Sequence, residues 1–202
     1  MNIFLQPAGE SSKKQLDLTM SIKENLENLE NFITKEQYHE LNKLYPDKQL
    51  NMWGVTMNKE NVWKQMQIGD FVLFYGNKNF FIVGTIQYKL HNRKLAKNIW
   101  GSDNKGLHWE YIYCLGNVQN IHIPLENFNH LTGYEFKQVQ GAMMVKRKNA
   151  TEKILKEYKN MFHFDYEEVQ KKEEESKSQE LSNKIWNLNI QNATHNFKIV
   201  TR

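Results

Sequence analysis

Five consecutive apolar residues, Phe71-Val72-Leu73-Phe74-Tyr75, lie between Gly69-Asp70 and the polar segment Gly76-Asn77-Lys78-Asn79. A strand without polar alternation is buried on both faces or lines a pocket, so the chain must cover this run twice. The turn-forming residues after it return the chain as Phe80 to Tyr88, which reads as the second arm of a hairpin. Before it, Gln49 to Thr56 is a candidate strand carrying Leu50, Met52 and Trp53. Asn58 to Met66 reads as a short helix with Val62, Trp63 and Met66 on one apolar face. After it comes a basic polar loop with Trp100 at its mouth and Trp109 beyond. The stretch from Asn51 to Tyr113 thus reads as a small β-rich binding pocket with aromatic walls.

The remaining segments flank that unit. Asn2 to Leu5 is a candidate strand stopped by Pro7-Ala8-Gly9. Leu16, Leu18, Ile22, Leu26, Leu29 and Phe32 recur at three- and four-residue steps, which predicts helix in at least the second half of Ser11 to Phe32. Thr34-Lys35-Glu36-Gln37 has the form of a capping box opening a helix through Leu44, ended by Tyr45-Pro46-Asp47. Leu107 to Leu115 and Val118 to Ile123 read as two strands separated by Gly116-Asn117. Pro124 to Gly133 reads as loop or short helix, Gln138 to Val145 as a last strand, and Thr151 to Phe162 as a helix packed back on the sheet. Glu167 to Glu180 is almost wholly charged or polar, the composition of a solvated helix or linker, and Trp186 to Val200 is a weakly apolar tail.

Composition excludes several classes. The chain has 202 residues, 40% hydrophobic and 12% aromatic, enough to bury a core. No apolar run reaches the roughly 18 residues a membrane span needs, and Met1 to Pro7 lacks the basic and apolar regions of a signal peptide. Cys114 is the only cysteine, which excludes an internal disulfide and a cysteine-based zinc site and fits a reducing cytoplasm. The seven histidines show no metal-ligand spacing, and no nucleophile elbow, P-loop or dinucleotide fingerprint is present. Nothing in the sequence supports an enzyme, and no cofactor is expected.

Charge and aromatic residues point elsewhere. The net charge is only +4, but Ile86 to Gly106 holds five basic residues (Lys89, Arg93, Lys94, Lys97, Lys105) against one acid, Asp103. Lys146-Arg147-Lys148 forms a second cluster. Two such patches suggest a polyanion footprint; solubilising lysines explain either one equally well. Trp63 reads as a core residue. Trp53, beside Gly54, and Trp100, before Gly101, could equally be core or two flat walls next to positive charge. Walls of that kind can sandwich a base, each stacking contact being worth about 1–3 kcal/mol, and an N-methyl group on the base would add attraction to the ring faces.

The run "WGVT…NVWKQMQIGDFVLFYGNKNFFIVGTIQ" resembles the EVE branch of the PUA-like superfamily, in which a tryptophan strand precedes a helix, a Gly-Asp turn and a "VLFY" strand. The continuation "IWGSDNKGLHWEYIY…NIHIPLENFNHLTGYEFKQVQG" resembles the related YTH domains. Taken whole, residues 49–165 are similar to the N-terminal reader domains of McrB-type and other modification-dependent restriction proteins. The resemblance implies an α+β fold, a twisted PUA-like sheet or partial barrel with flanking helices, which holds a flipped methylated base in an aromatic cage. Residues 1–48 would be a lead-in packed on that domain, and 166–202 a charged helical linker and tail.

By the same resemblance Trp53 and Trp100 inherit the two cage walls, with Leu107 the candidate for a third. Trp109 matches a strand tryptophan of the family and not a cage member. Asn51, Gly54 and Asp47 are candidates for reading the base edge, and Lys137 falls in the family's basic loop. Arg93, Lys94, Lys97 and Lys105 join it on charge alone. The expected function is non-catalytic recognition of modified DNA, as the targeting module of a restriction system whose nuclease or nucleotide-hydrolysing part lies on another domain or subunit. An RNA reader of N6-methyladenine and a protein-interaction domain that binds no nucleic acid are the alternatives.

Overall fold

The hairpin forms as its turn residues require. Phe71–Gly76 and Asn79–His91 are antiparallel strands, joined through Asn77 and Lys78 at φ 50° and 56°. Two consecutive positive φ values give the turn whose twist matches that of the flanking strands. The structure, a computed structural model, describes residues 1–8 and 26–160. All of these lie in the first of two compact units, Met1–Phe162; the second, His163–Arg202, falls outside the described residues. The expected linker (167–180), the apolar tail and residues 11–25 of the stretch whose second half was expected to be helical therefore lie outside the described residues; of that stretch, Leu26–Leu29 form a short 3-10 helix.

Six strands make one sheet: β1 (Ile3–Pro7), β2 (Asn51–Val55), β3 (Phe71–Gly76), β4 (Asn79–His91), β5 (Tyr111–Pro124) and β6 (Met143–Met144). Their order is β2-β5-β4-β3-β1-β6, with β1 parallel to β3 and every other pair antiparallel. Ile3 to Pro7 is therefore an interior strand of the sheet. Asp70 fixes its start: the carboxylate accepts the Asn2 N–H at 2.7 Å and the Gln67 N–H at 2.9 Å. One register shift between β3 and β4, and three between β4 and β5, each add local twist. The sheet accordingly curls into a half-barrel with α-helices around it, an α+β fold.

Side-chain alternation along β2 and β5 builds a different core on each face. Trp53 and Val55, with Tyr111, Tyr113 and Leu115, join Phe4, Val72 and Phe74 in one cluster. Met52, Ile112 and Cys114 face the other way, into a cluster with Leu26, Leu29, Leu41, Leu90, Leu95 and Ala96. Leu41 comes from α1 (Lys35–Leu44), whose Thr34–Gln37 capping box is formed reciprocally, as expected from the sequence. Leu95 and Ala96 come from α3 (Arg93–Trp100). The other helices are α2 (Glu60–Gln65), α4 (Leu125–Thr132) and α5 (Ala150–Glu157).

Two expectations are corrected. The loop expected between Trp100 and Trp109 is irregular, and the segment before it, to which the sequence reading gave no element, is the helix α3: the Asn92 side chain accepts the Leu95 N–H at 2.9 Å as an N-cap, and Leu95, Ala96 and Ile99 supply the inward stripe. The two expected strands across Gly116-Asn117 are one continuous strand, β5, with Asn117 at φ 48° accommodated inside it, whereas Leu107 to Glu110 is not strand. The last strand is only Met143–Met144, since the residues before it are irregular.

Candidate functional site

Three indoles converge where β2 meets the segment linking α3 to β5. Trp53, Gly54, Trp100 and Trp109 line an open cleft. Trp53 is 7% exposed and packs edge-on to Phe74 at 5.3 Å, which fixes its ring. Trp100 is the last residue of α3 and Trp109 precedes β5; both are half-buried. Gly54 lets them meet. A Cβ there would lie 2.2 Å from the Trp109 carbonyl oxygen and 2.9 Å from both Trp100 Cζ3 and Trp109 Cβ.

The segment from 101 to 109 is braced from within. Asp103 Oδ1 accepts the N–H groups of Lys105 and Leu107, each at 2.8 Å, and the Asp103 N–H donates to the Leu107 carbonyl at 2.9 Å. His108 Nδ1 lies 2.9 Å from the Gly101 carbonyl. A carbonyl only accepts, so Nδ1 carries the hydrogen. These bonds close a loop between the two tryptophans, so that the wall on α3 and the wall before β5 are held against each other.

The polar content of the cleft is sparse. The indole N–H of Trp53 is buried and has no hydrogen-bond partner within the described fold. A buried unpaired donor costs about 1–3 kcal/mol, and an acceptor supplied from outside recovers that loss. The Tyr113 hydroxyl, on the strand paired with β2, donates to Gln6 Oε1 at 3.3 Å.

The other sequence-derived candidates are placed as follows. Asn51 is half-buried on β2, two residues before Trp53 and outside the lining. Asp47 is exposed and accepts the Gln49 N–H at 3.1 Å, closing the turn before β2. Leu107 is half-buried and is not among the lining residues; the third lining indole is Trp109. Trp109 was assigned from the sequence to a strand, and it lines the cleft because that strand starts only at Tyr111.

Among the basic residues, Lys89 is committed within the fold. Its ammonium donates to the Met66 carbonyl at 2.5 Å and lies 4.3 Å from the centre of the Trp63 ring, and burial lowers its pKa. Arg93 Nε is 3.5 Å from Glu110 Oε2, and Glu110 also meets His91 at 3.2 Å. Lys94 and Lys97 on α3, Lys105 in the following segment, and Lys137 are exposed and make no ion pair among the described residues. Two free cations therefore share the helix that ends in Trp100. No group of histidine, cysteine and carboxylate side chains able to hold a metal occurs among the described residues, and no helix there is long and apolar enough to cross a membrane.

No protein-family model and no curated protein matches the chain. Among solved structures, the N-terminal domain of Thermococcus gammatolerans McrB bound to m5C DNA is similar over 79% of this chain and 98% of that domain, with 17% identity and a TM-score of 0.59. The chain has the fold of that domain. Weaker likenesses are to a Zymomonas mobilis ASCH protein (10% identity over 76% of this chain and 94% of that one, TM-score 0.42) and to the YTH domain of Zygosaccharomyces rouxii MRB1 in complex with N6-methyladenosine RNA (12% identity over 78% and 86%, TM-score 0.37). Neither of these two scores is high enough to bear on the fold.

Proposed function

We propose that the tryptophan cleft receives one modified base of a nucleic acid and that the chain is a non-catalytic reader. The observation that carries this reading is the convergence of Trp53, Trp100 and Trp109 on Gly54. Aromatic faces bind any base by stacking. The unpaired Trp53 N–H is buried in the free protein, so it would have to be uncovered on binding to meet an acceptor on the base edge; Lys94, Lys97 and Lys105 supply charge for phosphates nearby.

A base inside a duplex cannot reach such a cleft, so recognition of duplex DNA requires the base to be extruded. DNA is the preferred target because the Thermococcus domain that shares this fold is bound to m5C DNA. The chain would then serve as the targeting module of a modification-dependent restriction system, with nuclease or nucleotide-hydrolysing activity on another domain or subunit.

The test is fluorescence anisotropy with matched DNA and RNA oligonucleotides, unmodified or carrying 5-methylcytosine, N4-methylcytosine or N6-methyladenine, at two salt concentrations. A preference for one modified base in the wild type, lost in a Trp100→Ala protein of unchanged circular dichroism, is the expected result. Salt-sensitive binding indifferent to modification reduces the chain to a polyanion surface. No binding at low salt refutes the reading and leaves a protein-interaction domain.

A further inference from the structure

The second basic cluster of the sequence, Lys146-Arg147-Lys148, plays no part in the cleft. It forms an exposed turn held at both ends: Val145 is buried and donates its N–H to the Ile3 carbonyl at 2.9 Å, and Ala150 is buried and donates to the Arg147 carbonyl at 3.0 Å. The hydroxyl of Tyr134 braces the turn from beneath, accepting the N–H of Lys146 at 2.9 Å and of Arg147 at 3.0 Å. The Arg147 guanidinium lies 5.4 Å from the centre of the Tyr134 ring, beside Gly133, where a Cβ would come within 2.5 Å of Arg147 Nη1. Tyr134 is itself stacked on Phe136 at 4.5 Å. Three cations are thus presented on a short, fixed backbone, and none of them makes an ion pair among the described residues.

Ordinary solubilising lysines need no such bracing. Holding like charges on consecutive residues costs repulsion, which a polyanion relieves, and a backbone already fixed loses less entropy on binding than a mobile loop would. From this geometry we propose that the Tyr134-braced turn is a second nucleic-acid contact, one that binds backbone phosphates without reading sequence or modification. The proposal deepens the reader function: the turn would set how the strand lies on the protein, and the cleft would choose the base.

The experiment compares wild type, the triple variant Lys146→Gln/Arg147→Gln/Lys148→Gln, and Tyr134→Phe, which keeps every charge and the stack on Phe136 but removes both hydrogen bonds. The probes are a fluorescein-labelled duplex containing 5-methylcytosine and the same duplex unmodified, titrated across salt. The triple variant should lose about tenfold or more in affinity for both duplexes, and the slope of log affinity against log salt should become shallower by about 2 to 3. Tyr134→Phe should weaken both duplexes several-fold with the slope nearly kept. An unchanged triple variant, with the wild type still preferring the modified duplex, overturns the phosphate contact and spares the reader function. A Tyr134→Phe protein equal to wild type overturns the bracing role. Equal binding of both duplexes, lost in the triple variant, upholds the contact and refutes the reader function for 5-methylcytosine. No binding by the wild type overturns both.

Discussion

Gly54→Ala is the most direct perturbation of the cleft. Gly54 is not among the positive-φ glycines, so an alanine meets no backbone strain there. At an unhindered site of that kind, Gly→Ala stabilises by about 0.4–1 kcal/mol through the unfolded chain. Here the new methyl would start 2.2 Å from the Trp109 carbonyl oxygen, closer than the 3.0 Å below which a Cβ contact essentially never falls. The 101–109 segment must therefore retreat by about 0.8 Å at the least, and Trp100 must move with it. Overpacking of this size costs about 1–3 kcal/mol. Because the segment is closed by the Asp103 and His108 hydrogen bonds, the walls shift as a unit and the cleft changes shape. Loss of one good stack, about 1–3 kcal/mol, corresponds to roughly a 5- to 150-fold weaker grip on the preferred base. Thermal unfolding and anisotropy on the same samples separate the two effects. A Gly54→Ala protein that melts at or above the wild-type temperature and binds with undiminished affinity would show that Trp109 does not bear on Gly54 as described.

Three further outcomes follow from the same structure. Replacing the Trp53 indole with its sulfur isostere, benzothienylalanine, removes the unpaired N–H; stability should hold or rise by on the order of 1 kcal/mol in urea unfolding, while modified-base affinity falls, and unchanged affinity would assign that donor to the core alone. Asp70→Ala strips the acceptor from the Asn2 and Gln67 N–H groups and should cost about 2–3 kcal/mol by urea titration, a loss under 1 kcal/mol counting against the staple of β1. Burial raises the Cys114 thiol from 9.0 to about 12. The unfolded chain then releases its proton first, so stability should fall as pH rises above about 9, and Cys114→Ala should flatten that limb; native protein should also resist thiol reagents until it unfolds.

What the sequence made legible was local. The capping box at Thr34, the hairpin around Asn77-Lys78 and the buried run of β3 are each decided by a few adjacent residues. Helix α3 had a local signal as well, Asn92 as an N-cap followed by Leu95, Ala96 and Ile99, but Arg93, Lys94 and Lys97 register in the sequence only as part of a basic patch. A polar outer face is what an amphipathic helix over a sheet requires. Gly116-Asn117 looked like a strand break because an isolated Gly-Asn pair usually is one. In the fold β5 continues through it, with the Gln87 side chain packed where a Cβ on Gly116 would stand.

The third indole was hidden for a different reason. Trp109 and Gly54 are far apart in sequence, and their contact depends on where β5 begins, on the hydrogen-bonded closure of residues 101–109 and on the absence of one methyl group. None of these is a periodicity. Yet glycine in the interior of a strand commonly marks a close approach of another backbone, and Gly54 lies in β2 directly after Trp53. The close approach that this glycine accommodates is made by the Trp109 carbonyl, which brings the third ring over the same strand. A Trp-Gly pair within a strand, with other tryptophans waiting beyond the next strand and helix, is therefore a sequence sign that indoles from distant segments will be gathered at one point. Leu107, chosen for its place in the loop, carried no such steric reason.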